Sequence, residues 1–242
     1  MLNIINNLKK IIKKSNNQKI VAVFAYRYDI DLIHGLKENL NSFVDEYIEW
    51  DDSKNINEWY HEGKIRNNLI KRAKDKNADW ILCIDPDERF EKNAGKIIRK
   101  LINTKRKVIY SFNFRELWGT PETYRNDGIW GKKRKAILFP VFPNQSFMNL
   151  PVHSQWHPQN KDYKIIKVDV NLYHLKMIDK ENREDRKNLY NKLDPNKEIQ
   201  SIGYDYLTDE NDIELVNIPN DKKYFPVLDG EIKIRQIKTD VK

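Results

Sequence analysis

The chain has one cysteine, Cys83, in 242 residues. A lone thiol excludes an intramolecular disulfide and a cysteine zinc cluster, so nothing calls for an oxidising compartment. No run approaches the ~20 apolar residues of a membrane span, and no continuous apolar signal core with a cleavage site stands near the start. The expectation is a soluble or peripheral protein of the cytoplasm. Only eight glycines are present, and neither GxGxxG nor GxxxxGKS/T occurs, which removes the usual dinucleotide and P-loop means of holding phosphate. Something else must neutralise a phosphate here.

The chain is instead rich in aromatic and charged residues. Hydrophobic residues make up only 39%, but aromatics reach 11% and bring enough buried area for a packed core despite 33% charge. A chain of this length forms one α/β domain with a single core, or a domain with a modest appendage; the first is favoured. The net charge of +8 suits an anionic partner such as a nucleotide, a nucleic acid or an acidic membrane. It does not choose among them, because abundant Lys, Asn and Ile also follow from AT-rich coding.

Residues 1–14 place Leu2, Ile4, Ile5, Leu8, Ile11 and Ile12 on one helical face, with Lys9, Lys10, Lys13 and Lys14 on the rest. This basic amphipathic helix, with a connector to residue 18, either packs on the parent domain or lies on an anionic membrane as a peripheral contact. Ile20–Ala25 is nearly all apolar, as in a strand buried on both faces. Leu32, Leu36, Leu40, Phe43 and Val44 follow at helical spacing, then a strand at Tyr47–Trp50, a helix through Ile65, Leu69, Ile70 and Ala73, and a strand at Trp80–Ile84. Three strands alternating with two helices predict a Rossmann-like, mostly parallel sheet flanked by helices. After residue 106 the pattern changes to strands at Lys107–Phe114, Ala136–Val141 and Ile165–Leu175 and a charged helix at Lys180–Leu193, which predicts a smaller mixed-strand lobe built onto the same sheet.

Ligands in such sheets gather beyond the carboxyl ends of the strands. Those ends carry Tyr26-Arg27, Asp51-Asp52 and Asp85-Pro86-Asp87-Glu88. A D-x-D triplet is weak by itself, since 21 Asp in this length give about two by chance and the chain has two. Asp29 and Asp31 stand where a helix begins and read as capping groups. Asp85 and Asp87 follow directly on an apolar strand. In an extended segment, residues i and i+2 face the same way, and Pro86 favours extension, so both carboxylates can face one Mn²⁺ or Mg²⁺ ion bridging to a diphosphate. The alternative is that Asp87 or Glu88 caps the helix expected near Glu91.

With those residues in place, the sequence resembles the family 2 glycosyltransferases of the GT-A fold, especially bacterial enzymes of lipopolysaccharide and capsule synthesis. WILCIDPDER resembles their strand and acidic turn, VDEYIEWDDS their strand ending in a double Asp, and GKIRNNLIKRA their helix with an Arg-Asn pair, in the family's order over residues 19–195. The resemblance implies a GT-A-like catalytic domain over residues 19–242, with a nucleotide-sugar half (19–106), an acceptor half (107–195) and a C-terminal extension (196–242). It implies that Ala25, Tyr26, Arg27, Asp51, Asp52, Arg66 and Asp85 line the nucleotide-sugar site, and that Asp85, Asp87 and His174 hold the metal. The donor would be a UDP- or GDP-sugar, the acceptor a glycan or glycolipid, and the reaction inverting. Two departures stand out: Asp51-Asp52-Ser53-Lys54 lacks the family's Gly-Ser, and Val152-His153-Ser154 lacks a His-Glu pair.

Inversion needs a base at the acceptor hydroxyl. Asp127 and His153 rank first, ahead of Glu116 and His157, because YRNDGIWG and NLPVHSQWH set them among aromatics, Gly and Pro suited to a sugar cleft. Trp118, Trp130 and Trp156 either stack on sugars or fill a core. A sugar-phosphate nucleotidyltransferase is the competing enzyme class, but it would favour a glycine-rich basic loop after the first strand, where Ala25-Tyr26-Arg27-Tyr28 stands. A basic nucleic-acid-binding module would cluster its Lys and Arg with exposed aromatics; here they are dispersed, so no nucleic-acid partner is expected.

Overall fold

The computed structural model describes residues 18–54, 61–104, 106–150 and 153–226. The amphipathic helix expected over residues 1–14 lies outside them. Strand β1 (Ile20–Tyr26) is apolar throughout because it lies between two parallel neighbours, β2 (Glu46–Asp51) and β3 (Trp80–Cys83). Edge strand β2 buries only Ile48 and leaves Glu46 and Glu49 partly exposed. Helix α1 (Ile33–Leu40), entered through a 3-10 turn at Ile30–Leu32, joins β1 to β2 and buries Leu36 and Leu40 one turn apart. Helix α2 (Glu62–Asp75) joins β2 to β3 and buries Leu69, Ile70 and Ala73. Its acidic first turn and basic last turn both suit the helix dipole.

The mostly parallel sheet expected from the sequence is corrected to a mixed one. Beyond β3 come β4 (Glu88–Phe90), α3 (Ala94–Leu101), β5 (Val108–Glu116), β6 (Thr123–Arg125), β7 (Arg134–Pro140), β8 (Lys164–His174), α4 (Lys180–Leu193) and β9 (Leu215–Asn217). Seven strands form one sheet in the order β2-β1-β3-β7-β5-β8-β4, and β6 pairs with β9 apart from it. Three ladders are parallel (β1·β2, β1·β3, β5·β8) and three antiparallel (β3·β7, β5·β7, β4·β8). Alternation along a strand is the same whichever way its neighbour runs, so the local pattern left this undetermined.

The strand order positions the site. The chain leaves β3 in mid-sheet and enters β4 at the far edge, so the segment Asp85–Glu88 bridges the sheet. Strand β8 lies between β5 and β4, and its last residue, His174, pairs with Glu116 on one side and Glu88 on the other. The main core fills both faces of the sheet, while Trp118, Trp130, Met177, Tyr204 and Leu207 form a smaller cluster beneath the C-terminal segment. Trp118 and Trp130 are therefore core residues. Among the described residues no helix is long and apolar enough to cross a membrane.

Candidate active site

The acidic turn is held by a buried arginine. Arg89, 2% exposed, donates from Nη1 to the carbonyls of Pro86 and Glu88, both at 2.7 Å, and from Nη2 to that of Leu32 at 2.9 Å. One guanidinium thus ties the turn after β3 to the segment after β1. Gly35 makes room for it, since a Cβ there would stand 2.9 Å from Nη2.

Asp85 and Asp87 do not face one point. The Glu88 N–H donates to the Asp85 carbonyl at 3.1 Å, closing a turn that breaks the i, i+2 alignment of an extended segment. Asp85 Oδ2 takes a hydrogen bond from Lys135 Nζ at 2.5 Å, and the same ammonium bonds Glu88. Asp87 Oδ2 instead stands 3.1 Å from His174 Nε2. Glu88 lies in β4 and caps no helix. Burial raises its carboxyl to about 7 against the pull of Lys135, with Asp85 and Asp87 adding to the rise.

His174 is gripped on both nitrogens, Nδ1 by Glu116 and Nε2 by Asp87. Burial disfavours its charged form, but the two carboxylates prevail and lift it to about 9. Asp87 and Glu116 stay well below the ordinary carboxylate range: burial opposes ionisation, and His174 with Lys176 and Arg186 outweighs it at Asp87, as Lys133 and His174 do at Glu116. Lys133 Nζ reaches Glu116 at 2.5 Å. Asp29 makes no capping bond and pairs with Lys176 at 2.9 Å.

Asp85, Glu88, Glu116 and His174 line a cleft of ≈ 480 Å³, whereas Asp87 is buried beside His174 and does not line it. Lys133, which bonds Glu116, Lys135, which bonds Asp85, and Arg186, 3.4 Å from His174 Nε2, line it as well, with Arg66, Trp156 and His153. Arg66 pairs with Glu62 at 3.2 Å and lies over the Trp156 ring, 4.5 Å from its centroid. The lining holds four acids (Glu62, Asp85, Glu88, Glu116) and five bases (Arg66, Lys133, Arg134, Lys135, Arg186) before His174 is counted. The lining therefore carries a small excess of positive charge, with Arg66, Lys133 and Lys135 paired to its acids.

The other expected site residues are distributed as follows. Ala25, Tyr26, Arg27, Asp51 and Asp52 stand at the carboxyl ends of β1 and β2, beside the strand that carries Asp85, but do not line the cleft. Arg27 Nε donates to Asp52 at 2.8 Å, and Asp51 accepts from the Ser53 N–H at 2.9 Å. Asp127 is apart from the cleft, beside β6. Arg125 grips its carboxylate from Nε and Nη2 at 2.8 and 3.0 Å, and the Glu214 N–H adds a third bond. Those bonds hold its pKa below the usual range and make it a poor proton acceptor. His153 and His157 do line the cleft.

The expected divalent cation fits part of its expected donor set. Asp87 Oδ2 and His174 Nε2 are bonded to each other at 3.1 Å, so this pair would hold an ion only in place of the proton now between them. Glu116 on the far nitrogen is the kind of carboxylate that orients a ligating imidazole. Asp85 does not fit, because Lys135 occupies its carboxylate. Among the described residues no three His, Cys, Asp or Glu converge as a metal group, and two protein donors completed by substrate phosphates is an ordinary arrangement for Mg²⁺.

Reading the sequence did not single out Lys133, Lys135, Arg186 or the orienting role of Glu116. Lys133 and Lys135 had a usable signal, two cations at i, i+2 entering a strand and so on one face. Arg186 had none, being one charge among many on α4. No protein-family model matches the chain, and no curated protein matches it.

Proposed function

We propose that the chain is an inverting glycosyltransferase with a GT-A-like arrangement, moving a sugar from a UDP- or GDP-sugar to a glycan or glycolipid acceptor in surface polysaccharide synthesis. The observation that carries this reading is the cleft at the carboxyl ends of β3, β5 and β8 and the amino end of β7. There the acidic turn after β3 meets His174, Glu116, Lys133, Lys135 and Arg186. The base and ribose would lie toward Tyr26, Arg27 and Asp52, and the diphosphate over the acidic turn, where Arg186 and Lys135 offset its charge. Asp87 and His174 would hold Mn²⁺ or Mg²⁺, which supplies further charge stabilisation to the leaving group when bound.

In the transfer, the acceptor oxygen bonds the anomeric carbon. The bond from that carbon to the diphosphate oxygen breaks, its electron pair leaves with the nucleoside diphosphate, and the acceptor proton passes to a protein base. His153 faces the cleft and Asp127 does not, so His153 is the base in this reading. The enzyme would work in the cytoplasm, with residues 1–14 as its contact with the membrane that carries a glycolipid acceptor.

The test is thermal shift with UDP, GDP, CDP and TDP in Mn²⁺. Stabilisation by at least one of them, lost in Asp87→Ala, is expected. No stabilisation by any, with Asp87→Ala melting like wild type under every condition, would sink the proposal.

A further inference from the structure

Behind His153 runs a hydrogen-bond chain that the transfer reading does not by itself require. Tyr204, 1% exposed, donates its hydroxyl to Asp194 Oδ2 at 2.9 Å, and its oxygen lies 3.3 Å from His153 Nε2. Asp194 also accepts the N–H groups of Ile199 at 3.2 Å and Gln200 at 3.0 Å. Burial works against its charge, but those amides and the phenol keep it ionised. Burial and the Asp194 charge together raise the Tyr204 phenol above its ordinary value, so it keeps its proton.

The proton count then fixes the tautomer. A phenol has one hydrogen to give, and an ionised carboxylate accepts only. With that hydrogen committed to Asp194, the Tyr204 oxygen can only accept from His153, so Nε2 carries the imidazole proton and Nδ1 keeps its lone pair. The ring packs in a cluster with two tyrosines that also touch each other at 5.1 Å, stacked on Tyr204 at 6.1 Å and 15° and against Tyr190 at 5.1 Å. His153 also has φ +55°, a conformation rare for a non-glycine residue and one that collects at functional sites.

We propose that Tyr204 and Asp194 are positioning residues that set His153 in the Nε2–H tautomer and so make Nδ1 the base that receives the acceptor proton. The inference rests on the transferase reading. As Nδ1 takes the proton, Nε2–H bonds more strongly to the Tyr204 oxygen, and the fixed charge of Asp194 stabilises the imidazolium through the phenol. Glu62 and Arg66 on α2 and Arg186 and Tyr190 on α4 also face this ring, and burial leaves it neutral near pH 7.

The experiment measures hydrolysis of the nucleotide-sugar panel, with water as acceptor, across pH in wild type, Tyr204→Phe, Asp194→Asn and His153→Gln. Phe preserves the ring stack, and Tyr204→Phe is the cleaner variant because Asp194 also ties the 199–200 backbone. Expected for Tyr204→Phe are a kcat lower by about tenfold to a hundredfold, little change in KM, a melting temperature near wild type, and an acid limb moved to lower pH. In His153→Gln the acid limb should vanish. Nitrogen-15 spectra of wild type should show the proton on Nε2 of His153. A proton on Nδ1, or a Tyr204→Phe variant with unchanged kcat and pH profile, overturns the inference and leaves the transferase reading standing. No hydrolysis and no nucleotide binding by wild type removes both.

Discussion

Replacing Arg89 by Met keeps the apolar stem and deletes the guanidinium that ties the acidic turn to the segment after β1. The variant forgoes three charged-donor hydrogen bonds, to Pro86, Glu88 and Leu32, worth about 1.5–3 kcal/mol each. It also escapes a burial penalty: desolvation lowers the group from 12.5 to about 10, which corresponds to about 3 kcal/mol. The net loss expected is about 2–6 kcal/mol, a large part of a domain's stability. Urea unfolding at pH 7 followed by tryptophan fluorescence measures it. Because the same bonds shape Asp85–Glu88, a variant kept folded by an osmolyte should still lose its thermal response to nucleoside diphosphates. A loss below 1 kcal/mol, or an intact nucleotide response, would refute the staple.

Gly35→Ala pushes a Cβ against Arg89 and should cost about 1–3 kcal/mol as overpacking, read by the same titration; an unchanged midpoint would mean the guanidinium relaxes freely. Glu116→Gln removes the charge that orients His174 and should weaken Mn²⁺ binding about 10–100-fold, measured by the free-ion electron paramagnetic resonance signal, with unchanged binding counting against the Asp87–His174 site. His153 has its pKa lowered below 6.5 by burial, so the unfolded chain binds its proton more readily and stability should fall as pH drops from 6.5 toward the folded value. His153→Asn should lack that component of the pH dependence, and identical curves for variant and wild type would contradict it.

The first half of the fold was legible because each element there is specified by a short periodic run. Ile20–Ala25 could only be a doubly buried strand, and Leu36 and Leu40 could only share a helix face. The second half was legible as strands but not as a sheet, because nothing local in Val108–Glu116 or Lys164–His174 records that β7 runs against β3 and β5 while β8 runs with β5. The site followed the same division. Asp85 and Asp87 were visible from their place after β3, yet their separate partners depend on Lys135 from β7 and His174 from β8. His153 was visible from its aromatic context, whereas Tyr204 and Asp194 lie more than 40 residues farther along in a charged, irregular stretch. Asp127 looked equally good in sequence; only the structure shows Arg125 two residues away consuming its carboxylate.

The central proposal is that His174 in the cleft, with Asp87 bonded behind it, serves a nucleoside diphosphate leaving group. The most direct measurement is release of nucleoside diphosphate from UDP-, GDP-, CDP- and TDP-sugars by wild type and Asp87→Ala in Mn²⁺. The account predicts release from at least one donor by wild type and a loss of at least about a hundredfold in the variant. Release that is unchanged in Asp87→Ala, or no release from any donor under conditions where wild type is folded, would contradict it.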